Sequence, residues 1–270
     1  MPVVLNDGRT MPELGLGVWP LSSAQAADVA AAALRLGYRS IDTAANYDNE
    51  EGVGAGIRAA GIDRRELFVT TKLRAEVQGY DPALHALEGS LRRLGLDEVD
   101  LYLIHWPAAH ESVRIATWRA LIRMRDEGRA RSIGVSNFTR LHLEQLIEAT
   151  GVAPAVNQLE LHPRLQQRAL RQFHIHHGIA TESWSPLARG QVLDDPTVAA
   201  LALKHGRSPA QIVLRWHLDN GLIAIPRTRS VARLKENLEV SSFRLEPDDL
   251  LRMAALDDPR GRIGPDPDWV

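Results

Sequence analysis

The sequence predicts an α/β fold in which eight parallel strands alternate with helices and close into one (β/α)8 barrel. Short runs of leucine and β-branched residues alternate with longer amphipathic stretches along almost the whole chain of 270 residues, a pattern typical of repeated βα units. The composition, 44% hydrophobic and 24% charged, is that of a globular protein with a large core. Eight units in this length favour a TIM barrel formed as a single domain by residues 1–270, with an open doubly wound sheet as the alternative.

Each predicted strand is a short apolar run, and several of them end in polar residues. The strands are Leu14–Val18, Arg39–Asp42, Leu67–Lys72, Val99–His105, Arg131–Ser136, Ala155–Glu160, Ala180–Ser185 and Leu222–Pro226. Helical periodicity fills the gaps between them. The predicted helices over 24–36, 82–94 and 141–150 each stop at a glycine, the residue favoured where a helix ends in the left-handed conformation.

Two segments fall outside the alternation of strands and helices. Val3–Leu5 and Thr10–Pro12 predict a β-hairpin before the barrel, where it can cover the barrel floor. The C-terminal tail over 257–270 contains too many prolines and glycines for a helix, and it carries an aromatic residue, Trp269. We expect this tail to be irregular and to lie over one mouth of the barrel.

Charge and cysteine content exclude several classes of function. The formal net charge of −2 gives no overall field that would attract nucleic acid or an anionic membrane, so the expected partner is a small molecule. The sequence contains no cysteine, which excludes disulfides, thiol catalysis and cysteine metal sites. Its first residues have neither the basic start nor the apolar run of a signal peptide or membrane span, so we expect a cytoplasmic protein.

Two patterns that resemble ligand-binding motifs are interpreted as structural. The segment Gly54–Ala59 fits a G-x-G-x-x-A dinucleotide fingerprint, but it follows acidic residues rather than a strand and lies inside a helical pattern. We expect it to serve helix packing. His174, His176 and His177 lie at a helix end without clustered acidic or cysteine partners, so no metal site is predicted there.

Polar side chains stand at the carboxyl ends of three consecutive predicted strands, where barrels of this kind carry their active sites. They are Asp42, Lys72 and His105, and Tyr47 follows the first of them in a loop. Because neighbouring strands lie about 4.8 Å apart, these side chains can converge on one point. The sequence therefore predicts a proton-transfer site in which Tyr47 is the donor.

Each group of this predicted site has an expected role. A nearby Lys72 ammonium lowers the pKa of the Tyr47 phenol from its reference value of about 10. Asp42 keeps Lys72 charged and in place, and His105 donates a hydrogen bond that orients a carbonyl oxygen. Two other interpretations stay open. Asp42 and Lys72 alone could form a structural salt bridge, or an unrelated barrel enzyme could use Lys72 for Schiff-base chemistry.

The segments that hold these residues, and several others, resemble the motifs of the aldo-keto reductase superfamily in order and spacing. They are Asp42–Tyr47, Thr70–Leu73, Leu103–Pro107, Gly134–Phe138, Val156–Gln158, His162–Pro163 and Trp184–Leu187. The resemblance extends from Gly15 to Asn237, nearly the whole chain. Within the superfamily, the sequence most resembles the prokaryotic 2,5-diketo-D-gluconate reductase branch, because the loops are short and a tryptophan occupies position 184.

This resemblance implies an NADPH-dependent reduction of aldehydes and ketones, in which the cofactor supplies hydride and Tyr47 supplies the proton. It implies that Ser136, Asn137 and Gln158 hydrogen-bond the carboxamide and that Trp184 stacks on the nicotinamide ring. It further implies pyrophosphate contacts at Ser185, Leu187 and Gly190. The positions implied for the adenosine end are Ile225, Arg227, Thr228, Arg233, Glu236 and Asn237.

The chain departs from the family at the adenosine end, where Arg227-Thr228 replaces the usual Lys-Ser. Arginine keeps the charge and adds a forked donor, so a preference for NADPH over NADH is still expected. Trp19 and Trp106, with Tyr47 and His105, are expected to line the substrate pocket of a monomer. The alternative function is a noncatalytic nicotinamide-binding redox sensor or regulatory subunit, because a retained site can bind cofactor without useful turnover.

Overall fold

The computed structural model describes residues 2–267, and it contains an eight-stranded parallel sheet surrounded by helices. The sheet strands are β3 (Leu16–Gly17), β4 (Ser40–Asp42), β5 (Phe68–Leu73), β6 (Val99–Ile104), β7 (Ala130–Ser136), β8 (Val156–Glu160), β9 (Ala180–Trp184) and β10 (Ile223–Ala224). Their spatial order follows the chain without interruption, from β3 at one edge to β10 at the other. All the pairings are parallel, as the sequence predicts.

Hydrogen bonds between the first and last sheet strands close the sheet on itself. The backbone N–H of Gly15 donates to the carbonyl of Ala224 at 2.9 Å, and the N–H of Gly17 donates to the carbonyl of Pro226 at 3.2 Å. A parallel bridge pairs Leu14 with Ala224. The sheet therefore has the form of a (β/α)8 barrel rather than that of an open doubly wound sheet.

Ten α-helices are present within the described residues, and most of them follow a strand in turn. They are α1 (Ser23–Leu36), α2 (Glu50–Ala60), α3 (Tyr80–Leu94), α4 (Glu111–Asp126), α5 (Arg140–Thr150), α6 (Arg168–His177), α7 (Pro196–His205), α8 (Pro209–Asp219), α9 (Val231–Leu238) and α10 (Pro247–Ala254). The three helices predicted to end before a glycine do so, and Gly37, Gly95 and Gly151 adopt the left-handed conformation. None of the helices described is long and apolar enough to span a membrane.

The Gly54–Ala59 motif lies inside α2 and serves helix packing, as predicted. A Cβ atom built on Gly56 would lie 2.6 Å from the backbone oxygen of Ala27 in α1, and one on Gly54 would overlap the carbonyl of Leu94 in α3. These contacts require glycine because the backbones approach more closely than any side chain allows. The segment therefore joins two neighbouring helices and does not form a phosphate-binding turn.

The hairpin before the barrel closes the barrel floor, which confirms the prediction from sequence. Strands β1 (Val3–Val4) and β2 (Thr10–Met11) pair antiparallel. Met11 and Leu5 are buried and pack against the apolar residues of the lower barrel interior, which include Phe68 and Leu103. The amino-terminal end of the barrel is thereby sealed, which leaves the opposite end, where the strands finish, available for a site.

The C-terminal tail is irregular in its described part, as predicted, because residues 255–267 belong to no helix or strand. The tail returns to the carboxyl end of the barrel, where Pro265 borders the cleft between the strand ends. The predicted role of Trp269 lies outside the described residues.

Candidate active site

A cleft of about 810 Å³ opens at the carboxyl ends of the sheet strands. Most of the residues predicted to form the site line it, whether they were expected to act on substrate or on cofactor. They are Trp19, Asp42, Tyr47, His105, Trp106, Ser136, Asn137, Gln158, Trp184, Ser185, Leu187, Gly190, Ile225, Arg227 and Arg233. A concave, partly apolar pocket with a few converging polar groups has the form of a small-molecule site.

Lys72 lies beneath the cleft floor, where its ammonium joins the groups predicted to act together. The side chain is fully buried, and Nζ donates hydrogen bonds to Asp42 Oδ1 at 2.5 Å and to the carbonyl of Thr43 at 2.9 Å. Nζ also lies 3.4 Å from Tyr47 Oη. Strands β4 and β5 are adjacent, which explains why their ends bring these groups together.

The protonation state of Lys72 follows from these contacts. Burial lowers the pKa of the ammonium, but the charge of Asp42 and the oxygen of Tyr47 outweigh burial, so that the pKa lies above its ordinary value. An ammonium that donates to three oxygens has no lone pair with which to attack a carbonyl. The geometry therefore argues against Schiff-base chemistry at Lys72.

Tyr47 differs from its prediction in the direction of its pKa. Burial raises the pKa of the phenol, and the opposing attraction of Lys72 is weaker, so that the pKa lies above its ordinary value of 10. The predicted net lowering was wrong because sequence alone does not give the depth at which the hydroxyl lies. Tyr47 consequently holds its proton throughout the neutral range, as a proton donor must.

His105 lies beside Tyr47 and is uncharged. Their rings meet edge to face with centroids 5.6 Å apart. Burial, assisted by the nearby Lys72 charge, lowers the pKa of the imidazole to about 3. A neutral ring carries one N–H, so His105 can donate a single hydrogen bond to an oxygen in the cleft.

A buried carboxyl group that was not predicted, Glu182, completes the cluster. Gln158 Nε2 donates to Asp42 Oδ2 at 2.8 Å and to Glu182 Oε2 at 2.7 Å, so that one amide nitrogen joins two acids. Burial, followed by the charge of Asp42, raises the pKa of Glu182 to about 8. Glu182 in β9 pairs with Gln158 in β8, so the two side chains point to the same face of the sheet, and this pairing is not visible in the sequence.

Replacing Glu182 with glutamine is expected to stabilise the fold increasingly as pH rises. Between the ordinary pKa of 4.5 and the folded value of about 8, the folded protein keeps a proton that the unfolded chain releases, so wild-type stability falls with rising pH. Glutamine does not titrate, so the variant lacks this loss of stability. From about pH 5 to about pH 8, the advantage of Glu182→Gln in urea unfolding is expected to grow by up to about 4 kcal/mol.

The control is Glu76→Gln, the same substitution at an exposed glutamate. The free energy of unfolding of this variant is expected to differ from that of the wild type by the same amount at about pH 5 and at about pH 8. A constant difference for Glu182→Gln as well would contradict the raised pKa.

The predicted carboxamide ligands form a connected group at one side of the cleft. Asn137 Nδ2 donates to the carbonyl of His105 at 3.0 Å and to Ser136 Oγ at 3.1 Å. Asn137 Oδ1 accepts from Trp184 Nε1 at 2.9 Å, and Ser136 Oγ donates to the carbonyl of Gln158 at 3.0 Å. These bonds hold the indole of Trp184 in one orientation at the cleft wall.

The residues predicted for the adenosine end divide into two groups. Arg227 and Arg233 are exposed and line the cleft, with Ile225 beside them. The other three engage the protein itself. Thr228 Oγ1 accepts from the N–H of Ser230 at 3.1 Å, Glu236 accepts from Ser208 Oγ, and Asn237 is buried.

The outer rim of the cleft is aromatic. Trp19 is 50% exposed, and the guanidinium of Arg189 lies over its ring, 5.6 Å from the centroid. Trp106 lies beyond His105 and also lines the cleft. Arg189 lies in the loop after β9 and was not among the residues predicted from the sequence.

Comparisons with known proteins agree with this arrangement. Residues 13–258 match the Aldo/keto reductase family, and this span contains every group of the buried cluster. The chain belongs to the aldo/keto reductase family. The resemblance inferred from its motifs is thereby confirmed, as is its assignment as an oxidoreductase. A methylglyoxal reductase, DkgA from Yersinia pestis, is 52% identical over 268 residues, which cover 98% of this chain and 96% of that protein.

Solved structures of other family members have the same fold. A variant of Gox0644 in complex with NADPH has a TM-score of 0.96 at 50% identity, and the matched region covers 100% of this chain and 98% of the Gox0644 chain. The aldo-keto reductase of Bombyx mori in complex with NADP has a TM-score of 0.89 at 37% identity, and the matched region covers 95% of this chain and 92% of the Bombyx mori chain. The prediction of NADP(H) as the cofactor is confirmed at the level of the family.

Proposed function

We propose that this aldo/keto reductase reduces small aldehydes and ketones to alcohols with NADPH, and that Tyr47 donates the proton. The observation that carries the proposal is the convergence of a protonated phenol, a buried ammonium and a neutral imidazole at one cleft floor. These are the groups needed to polarise a carbonyl oxygen and to protonate it. When bound, NADPH supplies hydride to the carbonyl carbon.

The cleft suits a reduced nicotinamide dinucleotide along its whole length. Near the proton donor, Trp184 offers an aromatic face fixed by Asn137, and Ser136 and Gln158 add polar atoms for a carboxamide. Further along, Gly190 and the loop after β9 border the position expected for a pyrophosphate. At the far end, the exposed guanidinium of Arg227 suits a phosphate, which it can bind through two parallel hydrogen bonds.

The chain's own residues divide the work of proton transfer. Tyr47 is protonated at neutral pH and lies at the cleft floor, so its hydroxyl can donate to a carbonyl oxygen. The Lys72 ammonium, held charged by Asp42, stabilises the phenolate that remains after the proton leaves. His105 orients the oxygen through its single N–H. All four groups belong to the same chain, so a monomer would contain the complete set.

The substrate class follows from the rim of the cleft. Trp19 and Trp106 provide flat apolar surfaces, and Arg189 adds a positive charge beside Trp19. These surfaces suit a small carbonyl compound with a neighbouring polar group, such as an α-dicarbonyl. The relative from Yersinia pestis, which is named a methylglyoxal reductase, supports methylglyoxal as the first compound to test.

The test is the oxidation of NADPH, followed by absorbance, with a panel of small dicarbonyls and with the wild-type and Tyr47→Phe proteins. Turnover by the wild type and its loss in Tyr47→Phe, with NADPH binding intact in both, is the expected result. NADPH binding by both proteins without turnover by either would overturn the proposed reduction of small carbonyl compounds and favour a noncatalytic redox sensor.

Reversing the charge at Arg227 is expected to weaken NADPH binding selectively. A guanidinium paired with the 2′-phosphate contributes charge-assisted hydrogen bonds, which NADH cannot make. We therefore expect Arg227→Glu to raise the KM for NADPH by about ten- to a hundredfold and the KM for NADH by less than about threefold.

The matched control is Arg229→Glu, an equal charge reversal at an exposed arginine outside the cleft lining. It is expected to change both KM values little, and by a similar factor. Equal increases of the two KM values in Arg227→Glu would refute a role in recognising the phosphate.

A further inference from the structure

Glu160, at the end of β8, is a buried carboxylate that the proposed reaction does not use. Its side chain is 0% exposed. Oε1 accepts hydrogen bonds from the backbone N–H of Ile263 at 2.6 Å and from His162 Nε2 at 3.1 Å, and Oε2 accepts from the N–H of Gly264 at 2.8 Å. Two consecutive N–H groups of the C-terminal tail therefore bind the two oxygens of one carboxylate.

The tail and the carboxylate stabilise each other. Burial alone raises the pKa of Glu160, but the hydrogen bonds from His162 and from the two tail N–H groups outweigh it, so the pKa lies below its ordinary value. A buried charge is costly unless hydrogen bonds compensate it. Release of the tail would remove two of the donors that compensate Glu160, which gives the bound arrangement a strong preference.

The bound segment packs directly against Trp184. A Cβ atom built on Gly264 would lie 2.8 Å from Glu160 Oε2 and closer still to the edge of the Trp184 indole, so only glycine allows this approach. Glu160 and Trp184 are neighbours across β8 and β9. The next residue, Pro265, lines the cleft.

The rest of the tail is attached separately. The N–H of Asp258 donates to the carbonyl of Arg164 at 3.2 Å, and Asp257 accepts from the N–H of Gln166 at 2.9 Å. Between the two attachments, the side chain of Arg260 is 90% exposed. Loss of the contact at Glu160 would thus free 263–265 without detaching the tail at its base.

We propose that Glu160 is a positioning residue that anchors the C-terminal tail against Trp184 and thereby sets the wall of the cleft that selects carbonyl substrates by size. Glu160 itself lies outside the cleft lining, so it acts through the tail. The anchoring stands on the contacts alone, whereas the effect on selectivity rests on the proposed reductase function.

The first experiment measures the anchor without any assay of activity. Glutamine at position 160 keeps one acceptor oxygen but turns an NH2 group toward a backbone N–H. In Glu160→Gln we expect the amides of Ile263 and Gly264 to exchange with solvent deuterium at least about tenfold faster. The exposed Glu76→Gln variant is expected to leave both amides protected. Unchanged exchange in Glu160→Gln would overturn the anchor.

The second experiment measures selectivity between methylglyoxal and the bulkier phenylglyoxal. In Glu160→Gln we expect the ratio of kcat/KM for phenylglyoxal to that for methylglyoxal to rise about tenfold, while the Kd for NADPH changes by less than about threefold. Gly264→Ala keeps the carboxylate but pushes the tail from Trp184, so it is expected to shift the ratio in the same direction. It also provides the test if Glu160→Gln fails to fold.

The outcomes separate the two levels of the proposal. Faster exchange with an unchanged ratio in both variants would overturn the role in selectivity. Absence of wild-type turnover with either carbonyl would overturn the proposed function and the selectivity with it, whereas the exchange result would still decide whether Glu160 anchors the tail. In the double variant Glu160→Gln/Gly264→Ala, the change in the logarithm of the selectivity ratio is expected to be smaller than the sum of the changes in the two single variants. Both substitutions act on the same contact between the tail and the barrel.

Discussion

Tyr47→Phe is expected to lower kcat/KM for carbonyl reduction by about 10²–10⁴, the usual range for loss of a general acid. Phenylalanine keeps the ring that meets His105 edge to face and removes only the hydroxyl near Lys72 Nζ. The Kd for NADPH is expected to stay within about threefold of the wild-type value, because the hydroxyl is not among the groups proposed to hold the cofactor. Steady-state kinetics and a fluorescence titration with NADPH measure the two effects.

Tyr80→Phe is the matched control for this prediction. It removes the same hydroxyl from a tyrosine that is 40% exposed at the start of α3, and it is expected to leave kcat/KM unchanged. Retention of more than about a tenth of the activity in Tyr47→Phe would contradict its role as the proton donor.

Lys72→Met is expected to cost both stability and activity. Lys72 and Asp42 are buried, and Lys72 Nζ lies 2.5 Å from Asp42 Oδ1. Removal of the ammonium leaves the Asp42 carboxylate buried without its cation, which is expected to lower the free energy of unfolding by about 3–5 kcal/mol. Because the phenolate of Tyr47 also loses its stabilising charge, we expect kcat/KM to fall by at least about a hundredfold. Urea unfolding and steady-state kinetics measure these losses.

The double variant Asp42→Asn/Lys72→Met separates the two losses. With both charges gone, no uncompensated carboxylate remains, so most of the lost stability is expected to return. Activity is expected to stay low, because Tyr47 still lacks a neighbouring cation. If activity returned together with stability, the ion pair would be structural only, which is one of the two interpretations that the sequence left open.

Much of the candidate site could be predicted from the sequence. Asp42, Lys72 and His105 end consecutive parallel strands, and parallel strands bring their carboxyl ends to one edge. The hairpin at the barrel floor also followed from local patterns, because its turn and its short strands depend on neighbouring residues. Glu182 was missed because a lone acid within a strand gives no sign of whether it faces solvent or the barrel interior.

Quantities that depend on burial could not be predicted from the sequence. The expected lowering of the Tyr47 pKa considered the charge of Lys72 without the depth of the phenol, and burial proved the larger effect. In the same way, Arg227 and Arg233 reach the cleft, whereas Glu236 and Asn237 point elsewhere. All four lie in one short segment, and the sequence alone does not give the direction of each side chain.

The sequence by itself determined the order of strands and helices, the family, and the residues that end the central strands, because these depend on patterns among neighbours along the chain. Tertiary structure alone decided which polar groups are buried together and therefore which of them hold protons. It also decided that the C-terminal tail folds back so that Glu160 binds the N–H groups of Ile263 and Gly264. Pairing across that separation depends on the closed barrel, which no local pattern encodes.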